Sequence, residues 1–182
     1  MNETRLVKIS KFLSKHLRHD PEGLGLTLAP GGWVAVDDLL AACTRRRFGL
    51  SRTELDEVVA QNSKQRFSFD EAGTRIRANQ GHSVEVDLQL APSAPPVVLY
   101  HGTGHQTAGL IGREGLEKMR RRHVHLSADI ETARAVGARH GRPVLFAVDA
   151  AAMASAGHLF YRSDNGVWLT DAVPPGFLSL YA

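Results

Sequence analysis

The 182-residue sequence has little of several features that would define a specialised protein class. Cys43 is its only cysteine, which excludes an intramolecular disulfide and a zinc site built on cysteines. No apolar run approaches the roughly 20 residues that span a bilayer, and the first residues lack the apolar core of a secretion signal. With 43% hydrophobic and 23% charged residues, the composition is globular, not disordered or fibrous. We expect a soluble cytoplasmic protein without membrane contact.

The sequence also has a small net charge and few lysines. The formal net charge is only +3, and the 22 basic residues divide into 17 arginines and 5 lysines. Arginine presents a planar fork that binds phosphate through two hydrogen bonds, whereas lysine offers a point charge. The bias is explained equally by phosphate-binding arginines or by a GC-rich genome whose codons favour arginine. Only the positions of the arginines can distinguish these two explanations.

A proline-rich stretch divides the sequence. Three prolines lie within residues 92–96, where they neither continue a helix nor pair in a central strand, so they predict a stiff connector. We therefore expect one domain at residues 1–90, a linker at 91–96 and a second domain at 97–182. The first 90 residues carry 13 basic and 12 acidic side chains, so any nucleic-acid contact must be a local patch.

The first half is predicted to form three helices and then a hairpin, at residues 4–19, 37–43, 51–61 and 66–78. Asp20 ends the first helix because proline follows it. Asp37 is the expected N-cap of the second helix, and Ser51 with Glu54 forms a capping-box pattern before the third. Three helices followed by a hairpin are the pattern of a winged helix.

The second half is predicted to be rich in strands, with one or two helices. Short apolar runs indicate strands at residues 97–100, 144–148 and 167–170, and residues 130–139 indicate a helix with Asp129 near its start. Such a mixture is typical of a mixed α/β or α+β lobe. The fold class expected for the whole chain is α+β.

Two candidate anion-binding positions lie in the first half. Arg18 and His19 come together at the end of the first predicted helix, where the helix dipole favours cations. The arginine could bind an anion and the histidine could move a proton, or both could merely complement the dipole. Alternation places Arg66 and Ser68 on one face of a hairpin strand, which contacts either phosphate or only solvent.

Two further candidates lie in the second half. Residues 100–103 (Tyr-His-Gly-Thr) follow a predicted strand, where His and Thr around a glycine can hydrogen-bond ribose hydroxyls. They are not a dinucleotide fingerprint, because no G-x-G-x-x-G occurs there. Residues 119–127 run from three arginines into His-Val-His, with both histidines on one face. No cysteine or carboxylate is placed to complete a metal shell, so we expect no metal; a solvated basic loop is the alternative.

These segments occur in one order along the chain: Leu-Arg-His-x-Pro at residues 17–21, Lys-x-Arg-Phe at 64–67, Tyr-His-Gly-Thr at 100–103, Met-x-Arg-x-His-Val-His-Leu-Ser at 119–127 and Asn-Gly-Val-Trp-Leu-Thr at 165–170. The combination resembles the NAD-dependent RNA (tRNA) 2′-phosphotransferase family over essentially the whole chain. The resemblance implies an N-terminal winged-helix RNA-binding lobe and a C-terminal NAD-binding lobe similar to ADP-ribosyltransferases.

The resemblance also implies a reaction in which NAD is consumed as a co-substrate. An internal RNA 2′-monophosphate displaces nicotinamide and forms an RNA 2′-phospho-ADP-ribose intermediate. The ribose 2″-hydroxyl then attacks phosphorus, which leaves RNA with a 2′-hydroxyl and ADP-ribose 1″,2″-cyclic phosphate. The implied partners are NAD and an RNA that bears a 2′-phosphate, such as a product of tRNA splicing. We expect a monomer.

The site residues follow from the same resemblance. The implied catalytic set is Arg18, His19, Arg66 and Arg121, and His19 is assigned to proton transfer in the second step. The residues implied to bind NAD are Tyr100, His101, Gly102, Thr103, His125, Leu126, Ser127 and Val167. Many ADP-ribosyltransferases have a glutamate near the last of these positions, where a carboxylate would repel a phosphate dianion. Arg120 and Arg122 are expected to contact the RNA backbone or solvent.

Two rival functions remain at this point. ADP-ribosylation of a nucleic-acid terminal phosphate would use nearly the same residues, so the sequence does not distinguish it. A non-enzymatic DNA-binding regulator would need base-reading side chains on its third helix. Residues 51–61 carry three acids and one arginine, a composition unsuited to the major groove.

Overall fold

The computed structural model describes residues 1–61, 64–119 and 121–181. The chain divides into two compact units, Met1–Gln89 and Leu90–Ala182, and each has its own hydrophobic core. Both combine helices with small antiparallel sheets, which confirms the α+β class. The winged-helix and ADP-ribosyltransferase-like assignments of the two lobes stay predictions. Across the described residues, no helix has both the length and the apolar character to cross a membrane.

The described part of the first unit contains three α-helices and a three-stranded sheet. In chain order these are α1 (Glu3–Arg18), β1 (Val34–Ala35), α2 (Val36–Arg45), α3 (Arg52–Gln61), β2 (Phe67–Phe69) and β3 (Arg75–Ala78). Strand β3 lies between β1 and β2 and pairs antiparallel with both. The sheet therefore joins the hairpin to the strand that precedes α2.

Helix α1 forms and ends as its sequence predicts. Its apolar stripe, which includes Ile9, Leu13 and Leu17, is fully buried in the core of the first unit. The helix ends at Arg18, and the backbone N–H groups of the next two residues both donate to the carbonyl of Lys15. This closure confirms that the chain leaves the helix just before the proline. The residue that follows Arg18 is therefore held at a helix end.

The start of α2 corrects the sequence prediction, whereas the start of α3 confirms it. Helix α2 begins at Val36, so Asp37 lies in its first turn and is not the N-cap. The Val36 N–H instead donates to the carbonyl of Thr74, 2.9 Å away, because strand pairing continues into the helix start and replaces a side-chain cap. At α3, Ser51 and Glu54 exchange backbone-to-side-chain hydrogen bonds of 3.0 and 3.2 Å, as a capping box does.

The predicted hairpin is present, with β2 and β3 paired in the register Phe67↔Ala78, Ser68↔Arg77 and Phe69↔Ile76. Asp70 closes its turn by accepting hydrogen bonds from the backbone of Thr74 and from the side chain of Arg75. The Arg75 guanidinium is the main reason that the pKa of Asp70 falls to about 2. The turn is thus held by charge-assisted hydrogen bonds, which fix the position of β2.

The described part of the second unit contains three α-helices and eight strands. They are β4 (Val98–Gly104), α4 (His105–Glu114), β5 (Leu116–Glu117), β6 (Val124–Leu126), α5 (Ile130–Gly137), β7 (Pro143–Asp149), α6 (Ala150–Ser155), β8 (Tyr161–Arg162), β9 (Trp168–Thr170), β10 (Ala172–Val173) and β11 (Leu178–Tyr181). The strand orders are β11-β7-β4, β6-β9-β8 and β10-β5, and every pair is antiparallel.

The strands predicted near residues 97, 144 and 167 and the helix at 130 are all present. The sequence pattern places residues 100–103 after a strand. In the structure, β4 continues to Gly104, so these residues lie within the strand. The reason is that β7 pairs along the whole of β4, as far as the Gly104↔Pro143 pair. The sequence predicts one or two helices in this half, whereas its described residues contain three, and α4 and α6 were not located. The side chains of residues 100–103 therefore have the alternating directions of a strand.

Candidate active site

In the first unit, the structure brings together two arginines that are distant in sequence. Arg18 and Arg66 are 48 residues apart, yet Nη2 of Arg18 donates to the carbonyl oxygen of Arg66 at 3.4 Å. The Arg18 guanidinium also lies over the ring of Phe67, 5.9 Å from its centroid. Both arginine side chains are half-buried. Two members of the predicted catalytic set are therefore neighbours.

The third member in this unit, His19, follows Arg18 directly as the C-terminal cap of α1. The last turn of the helix also contains the basic residues Lys15 and His16. Cations there are favoured by the negative end of the helix dipole. The imidazole of His19 is exposed, and its Nδ1 lies 2.9 Å from the hydroxyl oxygen of Ser83. An exposed imidazole thus follows directly the arginine that contacts the Arg66 backbone.

Two residues that sequence reasoning missed contact these three, and both belong to the polar run after β3. The backbone N–H of Asn79 donates to the carbonyl of Arg66 at 2.9 Å, and its side-chain Nδ2 donates to the carbonyl of Gln65 at 2.7 Å. The backbone N–H of Ser83 donates to the carbonyl of Arg18 at 2.9 Å. A polar run that directly follows an alternating strand is a common place for functional residues and could have been noted.

In the second unit, the two predicted NAD-binding segments lie side by side. The backbone N–H of Tyr100 donates to the carbonyl of Ser127 at 2.8 Å, and the N–H of Ser127 donates back to Tyr100 at 2.9 Å. This isolated bridge joins β4 to the residue that follows β6. His101 and His125 lie next to it, and all four residues are half-buried. The cluster is therefore partly open to solvent.

The protonation of His101 can be assigned from its contacts. Its Nδ1 lies 3.2 Å from the carbonyl oxygen of His125, and because a carbonyl only accepts, Nδ1 carries the proton. Burial lowers the pKa of His101 below its ordinary value, and the nearby charge of Arg121 lowers it further, against the opposing effect of the hydrogen bond. His101 is therefore neutral at pH 7, with Nε2 as a hydrogen-bond acceptor.

Arg121 belongs to the same cluster. Its Nη1 lies 2.9 Å from Nδ1 of His125. A guanidinium can only donate, so Nδ1 of His125 accepts and the ring carries its proton on Nε2. This hydrogen bond from Arg121 favours the Nε2–H tautomer of His125. Arg120 lies outside the described residues, and Arg122 is exposed.

Three of the residues predicted to bind NAD have structural partners instead of open surfaces. The side chain of Leu126 is 1% exposed and packs in the core, so only its backbone can face a ligand. Thr103 is 8% exposed, and its hydroxyl bonds to that of Thr107 in α4 at 2.7 Å. A Cβ added at Gly102 would lie 1.7 Å from the carbonyl oxygen of Ala133 in α5. Gly102 is therefore required by packing between β4 and α5.

Val167 lies next to the Tyr100–Ser127 bridge by register. Strand β6 pairs with β9 through Leu126↔Trp168, and this register, continued by one residue, sets Val167 opposite Ser127. Val167 is half-buried, and its backbone is bonded in both directions to Ser163. An apolar side chain thus occupies this edge of the cluster.

The two histidines of the His-Val-His segment, His123 and His125, have different side-chain partners. His123 lies against the ring of Tyr161, with 5.6 Å between centroids, while His125 is engaged by Arg121. Over the described ranges, no group of three or more His, Cys, Asp or Glu side chains has an arrangement that could hold a metal ion.

Comparison with known proteins decides the family. The model of the RNA 2′-phosphotransferase, Tpt1 / KptA family matches residues 4–172. The chain belongs to this family. Among its curated relatives, the protein named "Probable RNA 2′-phosphotransferase" of Trichormus variabilis is 65% identical over 180 residues, which cover 99% of each chain. Proteins with the same name in Nostoc punctiforme and Streptomyces griseus are 64% and 58% identical, with 98% and 99% of each chain covered. The resemblance seen in the sequence motifs is confirmed.

Proposed function

We propose that this RNA 2′-phosphotransferase family member removes an internal 2′-monophosphate from RNA and transfers it to the ribose of NAD. The products are RNA with a 2′-hydroxyl, nicotinamide and ADP-ribose 1″,2″-cyclic phosphate. The observation that supports the proposal is the contact of the Arg18 guanidinium with the backbone carbonyl of Arg66, with His19 next to Arg18 at the exposed end of α1. Guanidinium forks bind phosphate through paired hydrogen bonds, and an imidazole can transfer a proton near neutral pH.

The first step needs an anion held in place more than it needs a base. A phosphate monoester carries a charge of about −1.5 to −2 at pH 7, so it is already a nucleophile. Arg18 and Arg66 can bind its oxygens with paired hydrogen bonds and restrict its motion. Positioning of this kind is worth about 7–11 kcal/mol of the barrier at most. In this step a bond forms between a phosphate oxygen and the anomeric carbon, and the bond to nicotinamide breaks.

The second unit offers groups that fit the ribose of NAD. The neutral ring of His101 presents Nε2 as an acceptor, and a ribose diol presents hydroxyl donors. Ser127, half-buried beside it, offers a hydroxyl that can donate or accept. When bound, NAD supplies an electrophilic anomeric carbon with nicotinamide as the leaving group. Arg121 holds His125 in one orientation, which we assign to contact with the nicotinamide ring.

The second step is where we assign a role to His19. The ribose 2″-hydroxyl forms a bond to phosphorus while the bond from phosphorus to the RNA 2′-oxygen breaks. The proton that the attacking hydroxyl loses must reach the departing 2′-oxygen, and an imidazole is suited to carry it near neutral pH. Arg18 and Arg66 stabilise the negative charge that gathers on the phosphate oxygens during this transfer.

The test combines two substrates and two variants. The protein is incubated with NAD and either an RNA with an internal 2′-phosphate or an RNA with a terminal phosphate, and the products are resolved by chromatography. Release of cyclic phosphate from the first RNA supports the proposal, whereas stable ADP-ribose on the terminal phosphate supports the rival function. We expect His19→Ala to accumulate the RNA 2′-phospho-ADP-ribose intermediate and Arg18→Ala to lose the first step. Arg52→Ala, which removes an arginine stacked on Phe69 in the same unit, is the matched control.

A further inference from the structure

The imidazole of His19 has a hydrogen-bond contact with the hydroxyl of Ser83. The backbone of His19 is fixed because its N–H donates to the carbonyl of Lys15 at 3.0 Å. The side chain is exposed, so packing alone does not select one orientation of the ring. The contact between Nδ1 and the Ser83 hydroxyl, at 2.9 Å, has the length of a good hydrogen bond.

Ser83 is itself held firmly in place, although its side chain is exposed. Its backbone N–H and that of Val84 donate to the same carbonyl, that of Arg18, at 2.9 and 3.3 Å. The preceding residue, His82, is 2% exposed and therefore anchors the segment in the interior. The backbone of Ser83 is consequently held at the end of α1, within reach of His19, although 64 residues separate the two.

The same segment also contacts the backbone of Arg66. At its start, Asn79 is 3% exposed and donates two hydrogen bonds to the carbonyls of Gln65 and Arg66. Gln65 has a φ of +40°, a left-handed conformation that a non-glycine residue adopts only when its surroundings hold it there. Residues 79–84 thus connect the backbone of Arg66 to that of Arg18.

We propose that Ser83 is a positioning residue for His19, and that it accepts a hydrogen bond from Nδ1–H and thereby assigns proton transfer to Nε2. The inference rests on the proposed function of His19 in the second step. With the proton of the neutral ring held on Nδ1, Nε2 takes a proton from the attacking hydroxyl and passes it to the departing oxygen. The serine oxygen keeps the same hydrogen bond when the ring becomes a cation, so the ring does not turn during the transfer.

A purely structural role for Ser83 makes different predictions. The hydroxyl and the imidazole are both exposed, so loss of their hydrogen bond changes global stability little. The backbone N–H of Ser83 remains in an alanine variant, so the link to Arg18 persists. A large change in the second step, without a change in unfolding, would therefore report on the ring of His19 alone.

The kinetic test uses Ser83→Ala and Ser83→Thr, with Ser179→Ala on an exposed strand residue of the second unit as the matched control. Single-turnover decay of the RNA 2′-phospho-ADP-ribose intermediate is followed in each. General acid–base catalysis accelerates a reaction roughly 10²–10⁴-fold. We expect Ser83→Ala to slow the decay of the intermediate about tenfold and to leave KM for RNA unchanged. The threonine variant should recover to within about twofold of wild type. In a His19→Ala background, removal of the serine hydroxyl should cause no further loss.

A spectroscopic readout keeps this inference separate from the proposed function. Nitrogen-15 NMR of the imidazoles reports the tautomer of His19 without any substrate, and we expect Nδ1–H in wild type and a mixture of tautomers in Ser83→Ala. An unchanged tautomer, an equal kinetic loss in the His19→Ala background, or a raised KM with kcat unchanged would overturn the assignment. If wild type fails to act on 2′-phosphorylated RNA with NAD, the proposed function falls, and the NMR result alone decides whether Ser83 positions the ring.

Discussion

Replacement of Gly102 by alanine distinguishes a packing role from a ligand-binding role at the centre of the second unit. An added Cβ would lie 1.7 Å from the carbonyl oxygen of Ala133, 2.6 Å from its carbonyl carbon and 3.0 Å from the backbone nitrogen of Gly137. These atoms belong to the backbone of α5, so no flexible side chain can move aside. Since non-bonded carbon atoms prefer a separation of about 3.5 Å, the helix and the strand must move apart by about 2 Å.

The loss of folding free energy in Gly102→Ala can be estimated. Overpacking of a well-packed interior costs about 1–3 kcal/mol and occasionally more, and a clash with backbone belongs at the upper end. For a unit of this size, about 3 kcal/mol corresponds to a fall in the unfolding midpoint of roughly 12–24 °C. Calorimetry of wild type and Gly102→Ala measures this shift directly.

A matched control is available in the neighbouring helix. Gly109 lies inside α4, and a Cβ added there would meet nothing within 4 Å. Alanine is better than glycine in a helix by about 0.8–1.0 kcal/mol, so Gly109→Ala should keep or raise the midpoint. The packing argument is refuted if Gly102→Ala unfolds at the wild-type temperature yet no longer binds NAD, because the glycine would then serve the approach of the ligand.

Three further predictions concern single side chains. Arg121→Lys should lower kcat at least about tenfold, since a lysine point charge does not reproduce the guanidinium contact with His125; steady-state kinetics within twofold of wild type would contradict this. Burial raises the pKa of Cys43 to about 11, so its thiol should resist a chromogenic disulfide at pH 8 until the protein is unfolded, and immediate labelling of the native protein would be inconsistent with that burial. The hydrogen bond from Arg5 lowers the pKa of Glu54 to about 2. The stabilisation from Glu54 should therefore be complete above about pH 4.5 and be lost as the pH falls toward 2. Denaturant titrations of wild type and Glu54→Gln across this range should converge at about pH 2, and a constant difference would refute the ion pair.

The sequence predicts those parts of the fold that local patterns determine. The apolar stripe of α1, the proline that ends it and the capping box of Ser51 and Glu54 all act over a few residues, and the structure confirms each. The N-cap of α2 was wrong because a distant strand, not a nearby side chain, satisfies the N–H of Val36. Pairing between strands is a long-range event that local spacing does not contain.

The site shows the same division between local and long-range information. The motifs singled out the residues around Arg18, Arg66 and Arg121, but not the contacts that hold them. Ser83 reaches His19 across 64 residues, and residue types alone do not predict such a pair. Helix α4 was equally difficult to predict, because it contains two glycines and none of its residues is buried. Its apolar spacing therefore carries little signal.

The fate of the 2′-phosphorus atom tests the central claim most directly. An RNA labelled with radioactive phosphorus only at one internal 2′-phosphate is incubated with the wild-type protein, with and without NAD. Our account predicts that the label leaves the RNA only when NAD is present and is recovered as ADP-ribose 1″,2″-cyclic phosphate. Label released as inorganic phosphate without NAD, or label that stays on the RNA in both reactions, would contradict it.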